Sequence, residues 1–277
     1  MKHLALAFLL AAAPLLMTWM ASGQEKVTRY VRYTHAGRVA YGILEGETVR
    51  ELNANFLAGG RPTGTQHRLS EVRLLAPVEP SKIIAVGLNY KSHIGDRPAP
   101  AYPGLFAKMP TCIIGQEDSI VFPPEAEDVH YEGELVVVIA KKAKNVPEAE
   151  ARDYIFGVTA GNDVSERKWQ KGDLQWFRAK GSDTFGPLGP AVVRGLDYNN
   201  LQVTTRLNGE VRQSQRTSDL LFGVDKIVSY VSRFITLLPG DLIFTGTPGS
   251  TKPMKSGDIV EVEIEGVGIL RNKVAGN

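Results

Sequence analysis

One cysteine in 277 residues, Cys112, leaves no internal disulfide to be drawn. The fold must therefore be held by its packed core in any redox compartment. The surrounding Pro110-Thr-Cys-Ile-Ile114 is apolar and reads as the setting of a buried structural thiol rather than a nucleophile. An excess of charge is also missing: 32 Lys and Arg face 30 Asp and Glu, a formal net charge of +2. That balance excludes a broad basic footprint for nucleic acid and gives no pull toward an anionic membrane surface. Local cation clusters for small anions remain open. The signatures G-x-S-x-G, H-E-x-x-H, C-x-x-C and G-x-x-x-x-G-K-[ST] are absent, which removes the nucleophile elbow, the zincin helix, the redox dithiol and the phosphate loop. The glycine-rich Gly246-Thr-Pro-Gly249 has none of the phosphate-loop spacings. No repeat or low-complexity tract is present.

What is there is an ordinary globular composition, 43% apolar and 22% charged, with length for one large domain or a small module joined to a larger one. Lys2 and His3 precede an apolar run over residues 4–20, broken only by Pro14 and Thr18, and Ala21-Ser22-Gly23 follows. A basic start, an apolar stretch and a small-residue exit describe a signal peptide over residues 1–23, with an uncleaved anchor as the alternative. The expectation is an exported, periplasmic or secreted protein with no membrane contact after cleavage.

From residue 27 short β-type runs begin. Residues 29–33 and 38–44 read as a hairpin closed by His35-Ala-Gly37, and residues 49–52 follow the turn Glu45-Gly46-Glu47. Residues 56–70, rich in Gly, Pro, Thr and Gln, read as a linker or surface loop, giving a small β module over 27–70. Strands are expected at 82–87, 134–140, 189–194, 202–207, 241–245 and 258–264. Helical signals are confined to 147–152 and 220–238. Strands outnumber helices and do not alternate with them, so the class is α+β and β-rich rather than doubly wound.

The stretch most able to carry chemistry is His130-Tyr-Glu132-Gly-Glu134, running into Leu-Val-Val-Val-Ile-Ala140. Residues i and i+2 of a strand share a face, so Glu132 and Glu134 project together beside a run fit for burial. Their repulsion is relieved by a proton, a cation or solvent, so a hard divalent ion and a solvated edge strand both fit. Asp163, after Val158-Thr-Ala-Gly-Asn162, fits either a strand end presenting a carboxylate or an ordinary turn. His93 and Asp96 stand three apart, close enough for a carboxylate to orient an imidazole base if the segment is helical. Lys108 and Lys180 lie among Gly, Pro and aromatic neighbours, where spacing alone does not raise them above solvated lysines.

In order along the chain, these stretches resemble the fumarylacetoacetate hydrolase family from residue 82 to 274. The resemblance is carried by Lys82-Ile-Ile-Ala-Val-Gly-Leu-Asn-Tyr-Lys-Ser-His93, His130-Tyr-Glu-Gly-Glu-Leu135, Gly157-Val-Thr-Ala-Gly-Asn-Asp-Val-Ser165, Ala179-Lys-Gly-Ser-Asp-Thr-Phe-Gly-Pro-Leu-Gly-Pro190, Leu207-Asn-Gly-Glu-Val-Arg-Gln213 and Phe244-Thr-Gly-Thr-Pro-Gly249. It implies a fumarylacetoacetase C-terminal-like mixed β-sandwich roll over 80–275, behind the small N-terminal β module, in a homodimer. It further implies Glu132, Glu134 and Asp163 as ligands of Mg2+ or Mn2+, and His93, with Asp96, as the base on a lid segment. Lys180 is then the catalytic lysine beside the metal, and Tyr90, Lys108 and Thr247 the substrate-binding residues.

The implied activity is metal-dependent cleavage of a C–C bond in a small oxo-acid or β-dicarbonyl compound of acylpyruvate type. Isomerase or decarboxylase action on a 2-hydroxy-dienedioate or oxaloacetate is the alternative from the same enolate, and a non-catalytic periplasmic metal- or carboxylate-binding protein is the alternative of another class. The sequence departs from the family pattern in having Asp96 where Glu is common, His130 where Asp is common, a short loop after Gly249, and an export signal.

Overall fold

The computed structural model describes residues 26–275. Its backbone is a 12-stranded sheet. The strand path runs Pro62–Arg68, Thr48–Leu52, Arg38–Glu45, Thr28–His35, Gly186–Arg194, Ile155–Asn162, Gly133–Ile139, Leu242–Phe244, Ile83–Gly87, Gly104–Lys108. A 5-stranded sheet packs against it, in the order Glu210–Arg216, Gln202–Leu207, Ile259–Ile264, Gly268–Ala275, Ser119–Val121. The β-rich α+β class expected from the strand pattern is what forms.

The reason lies in the strand sequences. Gly133–Ile139, GELVVVI, is buried along its whole length. A run of β-branched residues with no polar alternation suits a strand covered on both faces. In the second sheet Ile259–Ile264 alternates, with Val260, Val262 and Ile264 turned inward. Val137, Val158 and Val193 from the large sheet meet Val203, Val262, Ile264 and Leu270 from the small one in a single core. The helix Val224–Phe234 adds Ile227, Val228 and Val231 to that core from one face.

The structure departs from the local expectations in several places. Residues 56–70 are not a linker: they hold a 3-10 turn, Phe56–Ala58, and the edge strand Pro62–Arg68, paired with Thr48–Leu52. An exposed edge tolerates the Pro and Gly that argued against a strand. The N-terminal strands are also continuous with the main sheet, since Thr28 lies opposite Arg194. The expected helix over 220–238 is shorter, because Leu237 leaves it to pair with Ala143. Residues 147–152 form part of a 3-10 helix, Glu148–Tyr154. Among the described residues no helix is long and apolar enough to cross a membrane. The segment read as a signal peptide, 1–23, lies outside the described residues.

Candidate active site

Strands Gly133–Ile139 and Ile155–Asn162 pair antiparallel with Gly133 opposite Asn162. The start of one and the end of the other therefore share a rim, and that rim carries Glu132, Glu134 and Asp163. The Asp163 amide donates to the Glu132 carbonyl at 2.8 Å, and the Glu132 amide donates to Asn162 Oδ1 at 2.8 Å. Gly133 is needed for this approach: a Cβ there would stand 1.9 Å from Thr205 Oγ1 on the facing sheet. One carboxylate oxygen from each of the three acids lies within 4.8 Å of the others, and all three residues are buried.

Three cations brace this triad. Lys180, on helix α3 (Phe177–Gly181; α1 is Lys91–Ile94 and α2 Arg167–Gly172), donates to Glu132 Oε2 at 2.6 Å and Asp163 Oδ2 at 2.7 Å. Lys108 Nζ donates to Asp163 Oδ1 at 2.6 Å and to the Lys180 carbonyl. Arg167, the first residue of α2, donates to Glu132 Oε1 at 2.5 Å, to Thr251 Oγ1 at 2.9 Å and to Gln170 Oε1 at 2.7 Å.

Among the described residues Glu134 receives only the Gly246 amide, at 2.7 Å. Burial, then the neighbouring Asp163 and Glu132 charges, push its carboxyl well above the usual range. Burial also opposes ionisation of Glu132, but Lys180 and Arg167 outweigh it and hold that carboxyl below the usual range. Lys180 is raised against its own burial by Asp163 and Glu132. Without a dication, Glu134 is thus the carboxyl of the triad with the greatest pull toward a proton. Three hard oxygen donors, one of them short of cationic partners, fit a divalent ion of the Mg2+ or Mn2+ kind that would take that proton's place.

His93 on α1 overhangs the triad. Its Nδ1 lies 2.7 Å from the Gly249 carbonyl, which only accepts, so Nδ1 carries the proton and donates. In the neutral ring Nε2 then keeps its lone pair, and it faces Glu132 Oε1 at 3.9 Å. Asp96 does not take the orienting role expected of it. The helix stops at Gly95 (φ 61°, ψ −127°), and Asp96 points into solvent with no hydrogen bond or ion pair among the described residues. The Gly249 carbonyl holds the ring instead.

A cavity of about 30 Å3 is lined by the triad together with His93, Gln170, Lys180 and Thr247. Thr247 Oγ1 donates to the Gly133 carbonyl at 2.9 Å and accepts from Gln213 Nε2 at 2.8 Å. Tyr90 and Lys108, expected to bind substrate, do not line it. Lys108 braces Asp163 from behind, and Tyr90 is fully buried with its hydroxyl unpartnered. His130 is taken up elsewhere, donating through Nε2 to Asp128 at 2.9 Å and accepting at Nδ1 from Thr251 at 2.8 Å. Cys112 is the buried thiol expected, pushed up to about 11 by burial. Arg167, Gln170 and Gln213 were given no role from the sequence. Gln213 stands inside a stretch that carried the resemblance, but nothing in local spacing marks the other two.

Comparison with known proteins follows this geometry. Residues 82–275 match the family described as fumarylacetoacetate (FAA) hydrolase C-terminal, and residues 28–77 match Rv2993c-like, N-terminal. Human mitochondrial oxaloacetate tautomerase FAHD2A is 42% identical over 247 residues, 84% of this chain and 78% of that protein. The crystal structure of 5-carboxymethyl-2-hydroxymuconate delta-isomerase from Mycobacterium smegmatis is 44% identical with a TM-score of 0.86, covering 90% of this chain and 100% of that one. Maleylpyruvate hydrolase from Sphingobium sp. SYK-6, solved with manganese(II) ion and pyruvate, is 26% identical with a TM-score of 0.76, covering 90% and 99%. The expectation of an exported protein is overturned by these relatives, since the tautomerase is mitochondrial.

Proposed function

The chain belongs to the fumarylacetoacetate hydrolase family, and from that premise we propose that it is a divalent-metal-dependent enzyme that moves a proton on a small β-carbonyl 2-oxo acid. The reaction is interconversion of enol and keto forms, with Mg2+ or Mn2+ as cofactor and a homodimer as the working state. The observation that carries this reading is His93, whose Nε2 lone pair faces the acid triad while a backbone carbonyl fixes the other nitrogen.

A dication held by Glu132, Glu134 and Asp163 would supply a Lewis acid for the 2-oxo-carboxylate end of the substrate. His93 Nε2 takes the proton from the carbon between the two carbonyl groups and returns it to oxygen, or the reverse. Lys180, Arg167 and Gln170 sit beside the triad as donors for the negative oxygen that forms meanwhile. Thr247, fixed by Gly133 and Gln213, orients the carboxylate end.

Hydrolytic C–C cleavage of an acylpyruvate takes second place to this reading. A carbon flanked by two carbonyl groups gives up its proton far more readily than water does, and Asp96 does not reinforce His93. Hydrolysis keeps support from the maleylpyruvate hydrolase likeness. The test is incubation of the Mg2+-loaded protein with oxaloacetate and acetylpyruvate in D2O. Accelerated deuterium exchange at C3, with the carbon skeleton intact, is the expected result. Two carbon fragments formed as fast as exchange would make hydrolysis the activity instead, and CO2 would mean decarboxylation.

A further inference from the structure

The cavity at the triad, about 30 Å3, is close to the volume of one water in the liquid. It admits the reacting end of a substrate and little more. Beside it lies a second hollow of about 340 Å3, lined by Gly87, Leu88, Phe106, Leu174, Gln175 and Trp176 among others. Gly87, Leu88, Phe106 and Trp176 line both. None of the residues lining the second hollow carries a charge. The nearest buried ammonium, Lys180, lies 5.1 Å over the Phe106 ring and is already bound to Glu132 and Asp163.

The walls are built for an apolar occupant. Phe106 and Trp176 meet edge to face at 5.3 Å. Gly87 lets the indole lie against its strand, since a Cβ there would come within 3.3 Å of the ring. Leu88 enters the hollow from the left-handed region, φ 60°, a conformation a leucine adopts under strain and most often near functional sites. Leu174 stands at the rim 95% exposed, an apolar side chain with nothing to cover it.

We propose that this hollow is the subsite for the substrate's distal group, and that the group is an uncharged aliphatic or aromatic tail. A tail ending in a second carboxylate would lose part of its water shell against this wall, with no counter-charge from the lining to meet it. This rests on the oxo-acid reading above and adds the chemistry of the tail.

The test is calorimetric binding of three 2-oxo acids without a β-carbonyl to the Mn2+-loaded full chain: pyruvate, 2-oxooctanoate and 2-oxooctanedioate. A buried methylene contributes about fourfold in affinity, so 2-oxooctanoate is expected to bind at least tenfold more tightly than either of the others. Leu174→Arg, a change at an exposed position, is expected to move the octanedioate-to-octanoate affinity ratio at least fivefold toward the diacid. Pyruvate and 2-oxooctanoate binding within a factor of two of each other, or the diacid binding as tightly as the monoacid, would overturn the tail assignment and leave the oxo-acid reading standing. Failure of all three to bind would overturn both.

Discussion

Replacing Glu134 by Gln separates the two states of the triad. Gln keeps the shape and removes the charge, and in the ion-free protein burial and the neighbouring Asp163 and Glu132 charges push the Glu134 carboxyl well above its ordinary range. Its folded-state pKa is raised, so the folded chain binds the extra proton and Glu134 stabilises it fully only at low pH. That contribution is lost as pH rises from the ordinary Glu range through the raised value. The ion-free wild type should therefore lose thermal stability across that window, and Glu134→Gln should flatten the loss. With Mn2+ the order reverses. A hundredfold excess over Kd stabilises by about 2.7 kcal/mol, which for a chain of this size corresponds to a Tm rise of roughly 5–11 °C. If loss of one of three carboxylate donors weakens binding about a hundredfold, the same Mn2+ concentration leaves about 0.4 kcal/mol, under roughly 2 °C. Differential scanning fluorimetry on chelator-treated protein, with and without Mn2+, reads both arms. A metal-induced shift in Glu134→Gln as large as in the wild type would refute the assignment of Glu134 as a ligand.

Three further outcomes follow from the same geometry. His93→Gln should lower kcat by about 10²–10⁴ while keeping the Mn2+-induced Tm shift, measured side by side by steady-state kinetics and fluorimetry; loss of both would make His93 a metal-site residue. Asp96→Asn should change kcat/KM by less than about twofold, the ordinary effect of an exposed substitution, and a tenfold loss would restore the dyad. Glu51, buried beside Tyr33, has its carboxyl held below the usual range: burial opposes this, but Arg38 at 2.6 Å and His67 outweigh it. Its stabilising effect is present above the ordinary Glu pKa and is lost as pH falls through the lowered one, so Glu51→Gln should weaken the acid dependence of Tm below about pH 4.5; an unchanged acid limb would contradict this.

The acid triad was legible because strand periodicity places Glu132 and Glu134 together and an apolar run marks their strand for burial. The strand that brings Asp163 to them was harder to see. Ile155–Asn162 has Gly157 and Gly161, poor strand formers that are required here by close packing: a Cβ at Gly157 would stand 2.5 Å from the Val193 carbonyl, and one at Gly161 2.6 Å from Phe244. Lys108 and Arg167 act on acids 55 and 35 residues away, so no local spacing announces them as braces. Asp96 misled because a three-residue spacing implies contact only while the helix continues, and Gly95 ends it. Residues 56–70 misled because turn-forming composition does not distinguish a loop from an exposed edge strand.

On the proposed reading, proton transfer by His93 is productive only with a dication in the Glu132, Glu134 and Asp163 triad. C3 deuterium exchange in acetylpyruvate, whose distal end is uncharged, by the full chain after exhaustive chelation and then after return of Mg2+ or Mn2+ tests this directly. Exchange at the uncatalysed rate without the ion, and recovery when either ion is restored, is the expected result. An exchange rate that chelation leaves unchanged would contradict it.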